Sequence, residues 1–198
     1  MSTRLVLIRH GITRWNKQRR YCGHTDVALS KEGKIQAAKL ARRLKALKFD
    51  RIYSSSSKRA IQTARIIFGK AGITRVKELK ELNFGLLEGL KHEHILKEYA
   101  KAYSLWLQDP FKNTLPKGES LNVFRKRVNS ALTQILKANC GKTVAVVCHG
   151  GTISMFITGI LKKKSFWDYV PGSASISIVE YSKNKAELKL VNCTKHLR

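Results

Sequence analysis

A chain of 198 residues, 43% of them hydrophobic, is long enough for one domain with a full apolar core. Its 39 Lys and Arg against 13 Asp and Glu give a formal charge of +26, a field that draws phosphate esters, nucleic acid or acidic lipid without choosing a chemistry among them. No apolar run is long enough to cross a bilayer, and Cys22, Cys140, Cys148 and Cys193 form no CxxC pair or zinc-like spacing; a membrane span and a structural metal are both disfavoured, and a cytoplasmic protein with reduced thiols is expected.

In chain order, Leu5-Val6-Leu7-Ile8 is a continuous apolar run of the kind buried on both faces of a parallel sheet. It is too short for the apolar part of a signal peptide, and Arg9-His10 follows at once. Ser30 is placed to cap a helix reaching about Leu47, with Ile35, Ala38, Leu40, Ala41, Leu44 and Leu47 as its apolar positions. Many lysines, such as Lys31, Lys34, Lys39, Lys45 and Lys48, fall on exposed helix faces, which reads as a solvated surface. Arg51 to Ser54 is the next predicted strand, Lys58 to Phe68 the next helix, and Arg75 to Leu79 a third strand. Ser120 caps a second long helix with Leu121, Phe124, Val128, Ala131, Leu132 and Ile135 on one face. Thr143 to Cys148 is the clearest strand, and a helix starts just after Gly150-Gly151. Two strands, Ala174 to Tyr181 and Ala186 to Asn192, close the chain around a polar turn at Lys183-Asn184. No repeat, low-complexity tract or linker marks a boundary. The alternation predicts an α/β fold of three layers, α/β/α, with a mostly parallel central sheet.

Two places share one layout: Leu5 to Ile8 runs into Arg9-His10-Gly11, and Val144 to Cys148 runs into His149-Gly150-Gly151. Ligands of open α/β sheets bind beyond the carboxyl ends of the strands, so two central parallel strands would turn both histidines to one crevice. Glycine there lets backbone approach a ligand, and the helix after Gly151 presents amide donors. Arg59, just past the Tyr53-Ser54-Ser55 strand end, brings a second guanidinium. Two arginines and two histidines describe a site for a doubly charged oxyanion.

These residues carry a resemblance. Arg9-His10-Gly11-Ile12-Thr13-Arg14-Trp15-Asn16 is similar to the RHGxTxxN signature of the histidine phosphatase, or phosphoglycerate mutase-like, superfamily. Further matching segments follow in order: Gly23-His24-Thr25-Asp26, Leu29-Ser30 through Gly33 to Gln36-Ala37, Ser54-Ser55 through Arg59-Ala60 to Gln62-Thr63-Ala64, Glu81 to Gly85 with Glu88-Gly89, Gly118-Glu119-Ser120, His149-Gly150-Gly151, and a closing Asn192 through Thr194 to His196-Leu197. The resemblance implies one such domain over residues 1–198. It implies that His10 is a nucleophile becoming phosphohistidine, that Arg9, Asn16, Arg59 and His149 surround the phosphoryl group, and that Glu81 is the acid and then the base. His149 counts among the catalytic as well as the phosphate-binding residues. Thr13, Cys22 and Gly23 are candidate substrate contacts, with no metal and no cofactor. The expected partner is a small phosphorylated substrate; the charge leaves room for nucleic acid, which is not favoured, and a homodimer is allowed.

Three departures stand out. Ile12 and Cys22 replace the family's common Glu and Gln, and Cys148 stands where Ser is frequent. A positive site would lower the Cys22 thiol pKa, although both cysteines read first as packing residues. His92-Glu93-His94 lacks a third ligand nearby and reads as solvated, and Lys162-Lys163-Lys164 as a basic helix end. Three functions compete: a small-metabolite phosphatase, similar to the α-ribazole and metal-independent phosphoserine phosphatases; a cofactor-dependent phosphoglycerate mutase; and a basic binding protein on the same fold. The short segment Lys91 to Lys117, without an adjacent Arg pair, favours hydrolysis over mutase chemistry. Specificity is expected from residues 14–25, 86–117 and 170–175, with Trp15, Tyr21, Trp106, Phe111, Trp167 and Tyr169 as candidate lining; Phe84 is either lining or core.

Overall fold

The computed structural model describes residues 2–162, 166–182 and 185–198. The apolar run near the start forms β1 (Thr3–Arg9), in which Leu5, Val6, Leu7 and Ile8 have no exposed surface. Burial of each such side chain contributes about 1.5–3 kcal/mol, and a run apolar at every position is stable only with both faces covered. The other strands are β2 (Arg51–Ser55), β3 (Ile73–Val76), β4 (Thr143–Cys148), β5 (Ile176–Ser182) and β6 (Lys185–Cys193). They form one sheet in the order β3-β2-β4-β1-β5-β6; β3, β2, β4 and β1 run parallel, while β5 pairs antiparallel with both β1 and β6. β1 and β4 are therefore central neighbours, in a register that sets Arg9 opposite Cys148.

Helices cover both faces. Leu5 and Leu7 point to one core, shared with α6 (Leu121–Ala138) and α7 (Gly150–Leu161); Val6 and Ile8 point to the other, shared with α2 (Lys31–Leu44) and α3 (Lys58–Phe68). All six apolar positions predicted for the long helix after Ser120 are buried on α6, and Ser120 Oγ accepts from Val123 N at its start. No helix among the described residues is long and apolar enough to cross a membrane.

Three elements depart from the sequence reading. In α2 the buried stripe is Gly33, Ala37, Leu40 and Leu44, while Ile35 is 59% exposed and Leu47 lies beyond the helix. The backbone after β1 sets this rotation: Ile12 O accepts from both Ser30 N and Ser30 Oγ, Ile12 N donates to Gln36 Oε1, and Gly33 is so close that a Cβ would lie 2.1 Å from Ile12 O. β3 starts and ends earlier than predicted because its partner β2 runs out at Ser55, opposite Val76; a 3₁₀ turn (Lys77–Leu79) then carries Leu79 into the core. Residues 91–117, to which no elements were assigned, form α4 (His92–Glu98) and α5 (Ala100–Gln108), and bury Trp106 in the core instead of the crevice. The turn at Lys183-Asn184 lies outside the described residues. So do Lys163 and Lys164, while Lys162 caps α7 with φ +51°.

Candidate active site

His10 and His149 directly follow the neighbouring strand ends, with His10 N donating to Cys148 O and the rings edge to face, centroids 5.1 Å apart. His10 is 3% exposed. Its Nδ1 lies 2.7 Å from Gly11 O, which only accepts, so Nδ1 carries the hydrogen. Arg59 Nε donates to Nε2 at 3.3 Å and requires a lone pair there. Both contacts assign one tautomer, with the free pair on Nε2. Burial, and next the Arg59 and Arg9 charges, hold the His10 pKa well below the ordinary histidine range. His149, fully buried, is lowered well below that range by burial first and by Arg59 second; its Nε2 lies 2.8 Å from Ser55 Oγ at the end of β2, and its Nδ1 has no partner among the described residues.

Arg59, in the first turn of α3, has no exposed surface. Besides His10, it donates to Thr25 O (3.0 Å), Gly23 O (2.7 Å) and Cys22 O (3.5 Å). The 22–25 loop is fixed in turn by Glu88, whose carboxylate accepts from His24 N, Thr25 N and Thr25 Oγ1. These carbonyls take three of the five guanidinium hydrogens without neutralising the charge, and among the described residues no carboxylate pairs with Arg59. Arg9 Nη1 donates to Pro171 O, and its buried Nε has no partner among the described residues. Gly150 makes room for this guanidinium: a Cβ there would sit 3.2 Å from Arg9 Cζ.

Glu81 follows the 3₁₀ turn and is 9% exposed. Its Oε2 accepts from Gly151 N (2.8 Å) at the α7 N-terminus and its Oε1 from Leu82 N (3.0 Å). The glycines after His149 thus admit the Arg9 and Glu81 side chains, a use the sequence reading had given to ligand approach. Asn16 lies in α1 (Arg14–Lys17), whose cap Thr13 donates through both N and Oγ1 to Asn16 Oδ1. That arrangement leaves the Asn16 Nδ2 donor outside the cap.

A cavity of about 440 Å³ adjoins Arg9, Asn16 and Glu81, while His10, Arg59 and His149 are buried and are not among the residues that line it. Arg9, Asn16, Cys22, Glu81, Gly150 and Gly151 form its polar wall, and Tyr21, Phe84, Trp167 and Val170 an apolar one, with Arg19 and Arg20 also lining it. Of the candidate aromatic residues, Tyr21, Trp167 and Phe84 line the cavity. Trp15 packs on Gly89, and Phe111 lies beneath Arg125. Thr13 and Gly23 are off the wall: Thr13 is spent on positioning Asn16, and the Gly23 carbonyl holds Arg59. A cavity of similar volume, about 450 Å³, opens between α6 and α7 beside Thr3, Tyr181 and Ala186, and no histidine or carboxylate lines it.

The lowered thiol pKa expected at Cys22 is not found. Burial raises it and outweighs the opposing Arg59 charge, and burial also raises that of Cys148. His92 Nδ1 lies 3.3 Å from Tyr103 Oη, His94 sits beside Glu93 at the surface, and no three metal-ligating side chains cluster among the described residues. Residues 170–175, expected at the crevice, are held by the C-terminal segment. Ala174, at φ +54°, donates its N–H to His10 O and accepts from His196 Nε2 (2.9 Å), while Asn192 Oδ1 takes Gly172 N (2.8 Å). The closing Asn192-to-His196 pattern was visible, but residue types alone did not tell which backbone atoms it would grip.

The family pattern described as histidine phosphatase superfamily (branch 1) matches residues 5–194. Phosphoserine phosphatase 1 of Hydrogenobacter thermophilus is 31% identical over 98% of this chain and 94% of that protein. Phosphoglycerate mutase-like protein 4 of Arabidopsis thaliana is 38% identical over 75% of this chain and 67% of that one. The crystal structure of a putative α-ribazole-5'-P phosphatase from Escherichia coli superposes with a TM-score of 0.91 at 28% identity, covering 96% of both chains. The chain belongs to the histidine phosphatase superfamily and is a phosphatase of its first branch.

Proposed function

We propose that the chain hydrolyses small phosphomonoesters without a metal, through a phosphohistidine on His10 Nε2. One observation carries the reading: a fully buried Arg59 cation, without a carboxylate partner among the described residues, touches the lone-pair nitrogen of a neutral histidine. A buried charge left uncompensated is costly, and a phosphoryl dianion supplies the missing counter-charge. Arg9 Nε, His149 Nδ1 and the α7 amides add donors for its oxygens.

In the first step Nε2 attacks phosphorus in line, the P–O bond to the leaving group breaks, and the Glu81 carboxyl gives its proton to the departing alkoxide. In the second, the Glu81 carboxylate takes a proton from water, the oxygen attacks phosphorus, the P–N bond breaks, and phosphate leaves with His10 and Glu81 restored. The positive groups do by position and charge what phosphoryl transfer asks of a protein.

Hydrolysis is favoured over mutase chemistry because residues 91–117 contain no arginine and are spent on α4 and α5, with Tyr103 and Trp106 in the core. The named phosphoserine phosphatase relative, matched over nearly its whole length, supports the same choice. The four free cysteines agree with a cytoplasmic setting. Release of phosphate from p-nitrophenyl phosphate and O-phosphoserine, with EDTA and without 2,3-bisphosphoglycerate, tests the proposal. Turnover that resists the chelator supports it; activity that appears only with 2,3-bisphosphoglycerate, as isomerisation of phosphoglycerate, replaces hydrolysis with the mutase reading.

A further inference from the structure

Arg127 lies in the second turn of α6 and contacts no cavity wall residue except through the backbone of Glu81. Its fork is fully used. Nε and Nη2 grip Glu119 Oε1 and Oε2 at 2.6 and 2.7 Å, Nη1 donates to Glu78 O (2.6 Å) and Lys80 O (2.7 Å), and Nη2 also donates to Glu81 O (2.9 Å). Those are five hydrogen bonds from a group that carries five N–H donors. The guanidinium also stacks 4.8 Å above the Phe124 ring. Glu119 closes the arrangement from the other side, its N–H donating to Asn83 O (2.9 Å) and its Oε2 accepting from Asn83 N. With side-chain exposures of 18% and 11%, the pair is shielded enough for its geometry to be fixed.

One gripped carbonyl, Glu78 O, belongs to the 3₁₀ turn, and the other two, Lys80 O and Glu81 O, to the irregular segment between that turn and Asn83, where no sheet or helix ladder orders the backbone. That segment carries Glu81 to Gly151 N. We propose that Arg127, braced by Glu119, is a positioning residue for Glu81, setting the backbone from which its carboxyl reaches the leaving oxygen. The inference rests on the reading of Glu81 as acid and base given above. Lysine could not substitute fully, since three donors on one nitrogen cannot span three carbonyls and a bidentate carboxylate.

The test uses leaving groups. p-Nitrophenolate departs without a proton, whereas an alkoxide needs one, and kcat/KM reports only steps through P–O cleavage. The wild type, Arg127→Gln, Arg127→Lys, Glu119→Gln and Glu81→Gln are compared on p-nitrophenyl phosphate and on whichever alkyl phosphate the wild type turns over fastest. A displacement of the acid of about 1 Å predicts a loss on the order of 10²-fold on the alkyl ester in Arg127→Gln, against about threefold on the aryl ester, with partial recovery in Arg127→Lys. Equal losses on both esters, or none on the alkyl ester, overturn the inference. If Arg127→Gln does not fold, Arg127→Lys and Glu119→Gln carry the same comparison. Selectivity in Glu81→Gln without selectivity in the Arg127 and Glu119 variants refutes the positioning role alone, whereas absence of selectivity in Glu81→Gln refutes the Glu81 reading with it.

Discussion

Gly151→Ala separates the placement of Glu81 from the stability of the fold. A Cβ at residue 151 would lie 2.3 Å from Glu81 Oε1 and 3.1 Å from its Cδ, and those atoms end a flexible side chain. The carboxylate must therefore withdraw by about 1 Å to reach ordinary contact, and a misplacement of that size at a reacting group costs about 10²-fold in rate. The withdrawal stretches the 2.8 Å bond from Gly151 N beyond hydrogen-bonding reach. A charge-assisted bond of this kind contributes about 1.5–3 kcal/mol, part of which returns as hydration when the carboxylate swings into the cavity. Against that, alanine replaces glycine in the first turn of α7 and recovers up to about 1 kcal/mol. The thermal midpoint, followed by circular dichroism, is thus expected to fall by no more than about 5 °C. Meanwhile kcat/KM for an alkyl phosphate drops by about two orders of magnitude and p-nitrophenyl phosphate is nearly unaffected. Full alkyl-phosphate activity in a well-folded Gly151→Ala protein would refute the assignment of Glu81 to leaving-group protonation.

Gly33→Ala should do the reverse of what helix propensity suggests. Propensity favours alanine by about 1 kcal/mol, but its Cβ would meet Ile12 O at 2.1 Å and Ile12 N at 3.0 Å, backbone atoms that cannot swing aside. Overpacking of about 1–3 kcal/mol is expected to win and lower the calorimetric midpoint; a raised midpoint contradicts the packing argument. For pH, His10 and His149 are neutral in the folded protein and titrate well below the ordinary range, while in the unfolded chain they protonate near pH 6.5. The unfolded state binds more protons below that pH, so stability is lost on acidification, by up to about 1.4 kcal/mol per pH unit for each histidine. Urea midpoints measured downward from pH 6.5 should fall, and His10→Asn should fall less steeply. A midpoint that rises over that window would contradict the assigned neutral states.

Much of the site could be read in the chain because its chemistry is local. A four-residue apolar run ending in Arg9-His10 locates a strand end, and a second run ending in His149 locates its neighbour. That the two adjoin follows from parallel pairing of β1 with β4, which the alternation of elements already suggested. What could not be read was set by contacts between distant backbone atoms. The rotation of α2 depends on how closely Gly33 approaches Ile12, the end of β3 on where β2 stops, and the His10 carbonyl on a left-handed Ala174 held from the C-terminus. Arg127 resembles any other surface charge in so basic a sequence, and Glu119 stood out only as part of the matched Gly118-Glu119-Ser120 segment; only the fold shows the two closing on the carbonyls around Glu81. The Cys22 thiol shows the same limit: nearby cations are legible in the sequence, but the burial that outweighs them is not.

Acid–base stability of the trapped phosphoenzyme tests the central claim most directly. The protein is mixed with p-nitrophenyl phosphate in EDTA, quenched within the first turnover, and the phosphorylated residue identified in the wild type and in His10→Ala. An acid-labile, alkali-stable phosphoramidate is expected at His10, formed despite the chelator and absent from the variant. Phosphate found on another residue, or a phosphoenzyme that persists in His10→Ala, would contradict it.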